Sequence, residues 1–202
     1  MGILTANLFI TLDGVYQAPG GPEEDRSGGF EYGGWQAAYF DDGTGDVIDE
    51  GIDRMDALLL GRRTYEIFAD FWPHQEDHIG GRFNSLPKLV VSKSLTQPKW
   101  EGTTVLSGLS GLAGYKERFE DIHMFGSGHL IRSLIEADLL DRLNLFLYPL
   151  TFGSGKRLFA DGTGVPAAFR FAQEPKAFPK GAVLLSYERA GDPITGLTIG
   201  QD

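Results

Sequence analysis

The chain has 202 residues, of which 42% are hydrophobic and 23% charged, a composition that suits one globular domain with an apolar core. Its net charge of −10 argues against a nucleic-acid-binding surface, and no apolar run is long enough to predict a membrane span. Cysteine is absent, which excludes disulfides and thiolate metal sites. The first residues lack the pattern of a secretory signal, and we expect a cytoplasmic protein.

The N-terminal half of the chain is predicted to alternate strands with helices after one long loop. Residues 3–12 alternate apolar and polar side chains, which indicates a strand whose second face is mixed and is able to line a cavity. Residues 13–34 are rich in glycine and indicate a long irregular loop. The further predicted elements of this half are a helix capped by Asp46 and passing Met55, a strand at 57–61, a helix at 64–72, and strands at 88–92 and 103–107.

The C-terminal half continues this alternation and then becomes rich in strands. Its predicted elements are a helix at 109–119, a strand at 121–126, a helix at 129–140, and strands at 141–150, 168–173 and 182–189. This order predicts an α/β fold with helices on both faces of a mainly parallel sheet and an antiparallel addition at the C-terminus. We expect one domain over residues 1–190 and a C-terminal tail over residues 191–202.

The tetrapeptide Phe-Gly-Ser-Gly occurs twice, at 125–128 and at 152–155. The first copy joins a predicted strand to a predicted helix, where unpaired backbone amides and the helix dipole favour an anion such as a pyrophosphate. A plain tight turn is the alternative, since residue 131 is isoleucine and no third glycine completes a dinucleotide fingerprint. The second copy follows a strand and precedes Lys156 and Arg157, which indicates either a surface turn or a loop on the substrate or subunit side.

Two other predicted strands end in residues suited to phosphate. Two arginines and a threonine follow the first of these strands at 61–64, and serine, lysine and serine follow the second at 92–94. Each pattern alone is also common on solvated surfaces. Because the carboxyl ends of parallel strands meet at one edge of a sheet, the three segments together predict a ligand with several phosphates, such as a dinucleotide carrying a 2′-phosphate.

Four stretches of this chain together resemble the dihydrofolate reductase-like superfamily. They are ITLDG at 10–14, LLLGRRTYE at 58–66, LVVSKS at 89–94 and the segment that runs from HMFGSGHLI at 123 to KRLF ending at 159. The resemblance covers residues 3–189 and is strongest to the C-terminal reductase domain of the bifunctional riboflavin-biosynthesis deaminase/reductase. It implies a three-layer α/β/α fold around a mixed, mainly parallel sheet, NADPH as the hydride donor, and a homodimer.

The resemblance also assigns residues to the site. It places the cofactor against Gly14, Gly61, Arg62, Arg63, Thr64, Ser92, Lys93, Gly126, Ser127, Gly128, His129 and Leu130. The second Phe-Gly-Ser-Gly, with Phe152 and Gly153, is expected on the substrate side. Asn7 on the mixed face of the first strand and Trp35 beside the long loop are the other expected substrate contacts, although Trp35 is equally suited to fastening the loop to the core.

Asp13 follows the first strand and is the candidate catalytic residue. Other acids able to supply a proton lie in the stretch DDGTGDVIDE, and they are Asp41, Asp42, Asp46, Asp49 and Glu50. That stretch departs from the dihydrofolate reductase pattern, because no single carboxylate in it aligns with the acid that grips folate. His74 and His78 stand four residues apart with no third ligand, so we predict no metal site.

We therefore expect an NADPH-dependent reductase of a small pterin-like or pyrimidine-like substrate. The expected reaction is related to the 5-amino-6-(5-phosphoribosylamino)uracil reductase step of riboflavin biosynthesis, without the deaminase half, whose paired cysteines this chain lacks. A non-catalytic NADPH-binding protein of the same fold and a true dihydrofolate reductase are the alternatives. We expect neither a nucleic-acid nor a membrane partner.

Overall fold

The computed structural model describes residues 1–160, 162 and 164–200, and within them the strands form one nine-stranded sheet. The strands are β1 (Ile3–Thr11), β2 (Ala57–Gly61), β3 (Lys88–Val91), β4 (Thr103–Leu106), β5 (Asp121–Phe125), β6 (Arg142–Tyr148), β7 (Phe169–Phe171), β8 (Lys176–Ala177) and β9 (Val183–Arg189). Their order is β4-β3-β2-β5-β1-β6-β9-β7, and β8 also pairs with β9. The pairs among β1 to β6 are parallel and those of β9 are antiparallel, which confirms the predicted mixed sheet.

Five α-helices cover the two faces of this sheet. They are α1 (Asp42–Arg54), α2 (Arg62–Phe71), α3 (His78–Ser85), α4 (Leu112–Arg118) and α5 (Gly128–Glu136). One apolar cluster packs α4 and α5 against the even-numbered residues of β1, and another packs α1, α2 and α3 against the opposite face of β2 and β3. These two clusters make the fold a three-layer α/β/α arrangement, as predicted. No helix in the described parts of the chain is long and apolar enough to cross a membrane.

The helices differ in how their first backbone amides are satisfied. Asp41 accepts a hydrogen bond from the Thr44 amide at 2.9 Å at the start of α1, and Asp77 accepts one from the Gly80 amide at 2.7 Å at the start of α3. No side chain caps α2 or α5 in this way. Helix α4 also lacks a side-chain cap, so three of the five helix starts have no capping side chain.

Several predicted boundaries were wrong. Helix α1 begins at Asp42 with Asp41 as its cap instead of Asp46, because Asp41 is the extended residue that precedes the first helical turn. Helix α2 begins at Arg62 and not at Thr64. Helix α5 ends at Glu136 and not at residue 140, since Asp138 adopts a positive φ of 54°. Helix α3 and strand β8 were not predicted.

Candidate functional site at the carboxyl ends of the strands

The structure brings the three predicted phosphate-binding segments together, and we call residues 61–64, 92–94 and 126–130 the rim. They follow β2, β3 and β5, which are parallel and adjacent in the sheet. A Cβ atom placed on Gly61 would lie 3.0 Å from Ser127 Oγ, and one placed on Gly126 would lie 3.9 Å from Thr64 Oγ1. The starts of α2 and α5 are therefore close together, and at Gly61 a larger residue would press on the Ser127 side chain.

Two of the three helices without a side-chain cap, α2 and α5, begin at the rim, whereas the third, α4, begins at Leu112 outside it. Gly61 is the N-cap of α2 and Ser127 is the N-cap of α5, and neither position supplies a side-chain cap. Helix N-termini with unsatisfied amides and partial positive charge bind phosphate groups. The rim therefore offers two adjacent anion-binding helix starts, whereas α1 and α3 have their own carboxylate caps.

Positive side chains surround these helix starts. Arg62 donates to Glu66 at 2.7 Å and to Ser94 Oγ at 2.5 Å, which joins the first two rim segments. Lys93 and His129 are exposed at the surface of the rim, while Ser92 is buried and accepts from the Ser94 amide at 3.2 Å. Arg62 and Lys93 are thus placed on the β3 side of the rim.

The long loop, residues 13–34, packs over the other side of the rim. A Cβ atom on Gly128 would lie 2.4 Å from the Tyr16 ring, so only glycine allows this loop to approach the start of α5. The Gly128 amide is directed at the Tyr16 hydroxyl group. Burial raises the pKa of the Tyr16 phenol above its ordinary value, an effect that the nearby positive charge of Arg132 only partly offsets.

Asp25 fastens the same loop through two cations. Its carboxylate accepts from Arg63 Nη2 at 2.6 Å and from the Lys156 ammonium group. Burial alone would raise the pKa of Asp25, but the hydrogen bonds from Lys156 and Ser27 hold it below its ordinary value. Arg63 is therefore turned toward the loop and not toward the helix starts, unlike its neighbour Arg62.

Asp13, the predicted catalytic residue, ties β1 to the second Phe-Gly-Ser-Gly loop. Its carboxylate accepts from Thr11 Oγ1 at 2.6 Å, from the Gly153 amide at 2.8 Å, and from the Phe152 amide and the Arg157 guanidinium, each at 3.3 Å. Burial alone would raise the pKa of Asp13, but these hydrogen bonds hold it below its ordinary value. A carboxylate held ionised by several donors is poorly suited to giving up a proton.

Two of the predicted substrate contacts lie in an aromatic cluster beneath the long loop. Trp35 is buried, packs edge-on against Tyr148 at 5.3 Å, and donates from Nε1 to the Gln17 carbonyl at 2.8 Å. Phe152 stacks on Tyr32 at 4.9 Å. Next to them a cleft of about 330 Å³ is lined by both the long loop and Ser154 to Lys156. In this cluster Trp35 fastens the loop to the core.

A larger cavity of about 410 Å³ lies between α1 and the sheet, a size within the range of small-molecule sites. Its lining residues are Asn7, Val47, Ile48, Glu50, Gly51, Arg54, His123, Phe125, Arg142, Asn144, Phe146, Gln173, Glu174, Lys176, Leu184 and Ser186. Of the predicted substrate contacts, Asn7 lines this cavity, whereas Trp35, Phe152 and Gly153 do not. We refer to this space below as the cavity.

A continuous row of polar side chains crosses the floor of the cavity. His123 Nε2 lies 2.9 Å from Asp121 Oδ1, and His123 Nδ1 lies 3.3 Å from Asn7 Nδ2. Asn144 Nδ2 donates to Asn7 Oδ1 at 3.0 Å, and Ser186 Oγ donates to Asn144 Oδ1 at 2.6 Å. These five residues, on the adjacent strands β5, β1, β6 and β9, form what we call the polar row.

Charged side chains complete the cavity wall. Arg54, Arg142 and Lys176 line it together with two acids, Glu50 and Glu174. None of the three cations forms an ion pair within the described part of the chain. Together with the polar row, this wall suits a polar ring with hydrogen-bonding edges better than an apolar ligand.

The rim and the cavity meet where β1 separates from β5. The pairing of these strands ends at Asn7 and Phe125, and the Gly126 amide makes a last hydrogen bond to the Asn7 carbonyl at 3.1 Å. On its other side β1 stays paired with β6 as far as Thr11. Residues 8–10 therefore lack a β5 partner on one edge in the middle of the sheet, and the edge closes at Thr11, whose amide donates to the Val15 carbonyl and whose carbonyl accepts from the Gly14 amide, each at 2.9 Å.

Sequence reasoning missed four members of the polar row, namely Asp121, His123, Asn144 and Ser186. A signal was present, because each of the last three is a polar residue with a hydrophobic neighbour on both sides in its strand. The pairing register that places them side by side is not visible in the sequence. Among the described residues, no group of three or more histidine and acidic side chains is placed to hold a metal ion.

Comparison with known proteins agrees with this architecture. The family described as the RibD C-terminal domain matches residues 3–108 and 112–180. An uncharacterised Bacillus subtilis (strain 168) protein, YyaP, is 25% identical over 164 residues, which cover 77% of this chain and 79% of that protein.

Two solved structures share the fold at low sequence identity. A putative riboflavin biosynthesis protein from Shewanella sp. PV-4 superposes with a TM-score of 0.69 at 19% identity, covering 94% of this chain and 99% of that one. Dihydrofolate reductase from Enterococcus faecalis, complexed with NADP(H) and RAB-propyl, superposes with a TM-score of 0.58 at 19% identity, covering 93% and 96%.

Proposed function

Since this chain belongs to the RibD C-terminal domain family, we propose that it is an NADPH-dependent reductase of a small pterin-like or pyrimidine-like heterocycle. The observation that carries the proposal is the junction of two unlike sites. A phosphate-compatible rim and a polar-walled cavity meet at the edge of residues 8–10 that β5 leaves unpaired. The reaction is related to the reductase step of riboflavin biosynthesis, and a homodimer remains a prediction.

The residues of the rim fit a dinucleotide that carries a 2′-phosphate. The uncapped starts of α2 and α5 would hold the pyrophosphate, and Arg62, Ser92 and Lys93 would hold the 2′-phosphate. The Enterococcus faecalis enzyme of the same fold was solved with NADP(H), which supports this choice. When bound, NADPH supplies the hydride through its nicotinamide ring.

The chain itself contributes position, polarity and exclusion of water. The open backbone edge of residues 8–10 can orient a flat ring toward the cavity, while Asn7 and Asn144 hold the substrate by its polar edge. Helix α1 and the long loop cover the site from two sides. Glu50 is the α1 acid that lines the cavity and is our candidate proton donor, because the Asp13 carboxylate is already held by four donors.

The test is consumption of NADPH, followed by absorbance, against a panel of pyrimidines and pterins. We expect turnover with at least one compound and a strong preference for NADPH over NADH. The Arg62→Ala/Lys93→Ala variant, assayed below saturating NADPH, should lose most of that rate, which excludes a contaminating reductase.

Binding measurements, compared with turnover on the same panel, separate the two alternatives. NADPH binding with no turnover on any compound would support a non-catalytic binding protein, which the engaged state of Asp13 favours. Tight binding of methotrexate would support a true dihydrofolate reductase, which the presence of Glu50 at the cavity favours. Failure to bind either NADPH or NADH would contradict all three functions.

A further inference from the structure

The polar row has a feature beyond its position in the cavity, namely that its hydrogen bonds all point one way. We propose that Asp121 sets the direction of the hydrogen bonds in the polar row. The row thereby fixes the orientation of the Asn144 amide so that it binds a cis-amide (lactam) edge of the substrate. The identity of the substrate rests on the proposed function, whereas the direction of the hydrogen bonds does not.

The direction follows from the carboxylate at one end. An ionised carboxylate only accepts hydrogen bonds, so His123 Nε2, 2.9 Å from Asp121 Oδ1, must carry a proton. Burial alone would raise the pKa of Asp121, but the hydrogen bond from His123 and the charges of Arg54 and Arg142 hold it below its ordinary value. Asp121 is therefore an acceptor throughout the neutral range of pH.

The imidazole passes this constraint to β1. A ring whose single proton is on Nε2 accepts at Nδ1, and the partner 3.3 Å from His123 Nδ1 is Asn7 Nδ2. The Asn7 amide nitrogen also donates to the Met124 carbonyl at 3.4 Å, so both of its protons are directed toward β5. The Asn7 carbonyl oxygen must then face β6.

The constraint then crosses two more strands. Asn7, Asn144 and Ser186 occupy directly paired positions on β1, β6 and β9, so their bonds run sideways along one line across the sheet. Asn144 Nδ2 donates to Asn7 Oδ1 at 3.0 Å, and Ser186 Oγ donates to Asn144 Oδ1 at 2.6 Å. The Asn144 nitrogen is thereby fixed toward β1 and its oxygen toward β9.

The hydrogen-bonding groups of Asn144 that the polar row does not use are the ones that recognise the substrate. A primary amide has two N–H donors and two acceptor lone pairs, and the row uses one of each. Because both used groups point sideways, the remaining N–H and lone pair lie on the edge of the amide away from the sheet. Asn144 is half-buried and lines the cavity, so this edge faces the ligand.

An adjacent donor and acceptor in one plane is complementary to a ring N–H beside a ring carbonyl. Uracil and pterin rings both carry such a lactam edge, and methylation of the ring nitrogens removes its donor. A buried site that forms hydrogen bonds with its ligand discriminates strongly against an analogue that cannot form them, because the polar groups of the protein are then left unpaired. We therefore expect at least about a tenfold preference for the unmethylated ring.

The first experiment measures the direction of the hydrogen bonds in the polar row, without any ligand. Long-range ¹H–¹⁵N NMR spectra report which nitrogen of each histidine carries the proton, and His123→Gln identifies the His123 signals among the four histidines. We expect the Nε2–H tautomer in the unmodified protein. Asp121→Asn, which can donate to Nε2, should shift His123 toward the Nδ1–H tautomer, whereas the exposed-acid control Asp138→Asn should not.

Either of two results would overturn the direction that we infer. One is an Nδ1–H tautomer of His123 in the unmodified protein, and the other is an unchanged tautomer in Asp121→Asn. If Asp121→Asn fails to fold, Ser186→Ala serves in its place. It removes the donor at the other end of the row, so it should leave the His123 tautomer unchanged and weaken lactam binding.

The second experiment measures recognition, with uracil and 1,3-dimethyluracil as probes in the presence of NADP⁺. We expect the unmodified protein to prefer uracil at least tenfold and Asn144→Leu to lose that preference while keeping its affinity for NADPH. An equal affinity of the unmodified protein for the two probes would refute the lactam inference, even where NADPH is oxidised. Absence of NADPH binding would instead refute the proposed function and leave the tautomer result intact.

Discussion

The rim and the cavity are built from different materials. The rim consists of backbone amides at two helix starts with exposed cations around them, and two of its three segments, 61–64 and 126–130, join a strand to a helix. The cavity floor consists of buried side chains from four strands that are far apart in the sequence. Substitutions at the rim should therefore change cofactor affinity with little effect on stability. Substitutions in the polar row should instead lower stability with little effect on cofactor affinity.

The largest effect should come from the acid at the cavity wall. Glu50→Gln keeps the shape of the side chain and removes its ability to donate a proton, so kcat should fall about 100-fold while the affinity for NADPH stays unchanged. Asp49→Asn is the matched control, because Asp49 is the neighbouring acid of α1 and does not line the cavity. A kcat for Glu50→Gln within a factor of three of the unmodified enzyme would exclude Glu50 as the proton donor.

Asn7→Ala should produce the largest change in stability. It leaves His123 Nδ1 and the Asn144 amide without their partner in a buried region, which should cost about 3 kcal/mol of unfolding free energy. Urea denaturation measures this loss. Arg62→Ala at the rim should cost less than about 0.5 kcal/mol by the same method, and a reversed order would break the distinction between the two regions.

Arg62→Ala/Lys93→Ala should reduce the preference for NADPH over NADH. Charge-assisted hydrogen bonds to the 2′-phosphate contribute about 1.5–3 kcal/mol, so the ratio of the two affinities should fall about tenfold or more. Isothermal calorimetry with both nucleotides measures the ratio. The control is Arg170→Ala/Lys99→Ala, which removes an exposed arginine and an exposed lysine outside the rim. An unchanged ratio in the rim variant would place the 2′-phosphate elsewhere.

Gly61→Ala should weaken NADPH binding by a smaller factor. The new Cβ atom would lie 3.0 Å from Ser127 Oγ and 3.1 Å from Ser127 Cβ, so it should push the starts of α2 and α5 apart. We expect about a fivefold loss of affinity, or about 1 kcal/mol. Gly114→Ala is the control, since a Cβ atom at this α4 position meets nothing within 4 Å. Equal effects of the two substitutions would argue against a close approach at Gly61.

The smallest effect concerns acid stability of the two regions. The pKa values of Asp25 and Asp121 are both lowered in the folded chain, so each stabilises the fold above an unfolded-state pKa near ~3.9. That stabilisation is lost as the pH falls through the lower folded-state pKa. Asp25→Asn should therefore be less stable at pH 7 and should unfold with a shallower dependence on pH below about pH 5. If the stability of the variant and of the unmodified protein depended on pH in the same way at low pH, the stabilising role of the Asp25 carboxylate would be contradicted.

The rim was predictable because its signals are local. A strand, a glycine and a helix start follow one another within ten residues at 57–66, and again at 121–130, so the chemistry can be read without knowing how strands pair. The parallel alternation then places the strand ends at one edge. The fold class was predictable for the same reason, since the alternation of strands and helices determines the layers.

The cavity was not predictable because it depends on register. Asn7, Asn144 and Ser186 form a line only because β1, β6 and β9 pair at those residues, and a shift by one residue would turn each side chain to the other face. Asn7 was selected from the mixed face of its strand, but its partners could not be. Trp35 shows the converse, because its aromatic character is used for packing against Tyr148 and not at the cavity.

A crystal structure of the chain with bound NADPH tests the junction of the two regions most directly. We predict the pyrophosphate at the starts of α2 and α5, the 2′-phosphate beside Arg62 and Lys93, and the nicotinamide ring along residues 8–10 with one face open to the cavity. A nicotinamide ring separated from the cavity by the sheet, or phosphates bound away from residues 61–64 and 126–130, would contradict it.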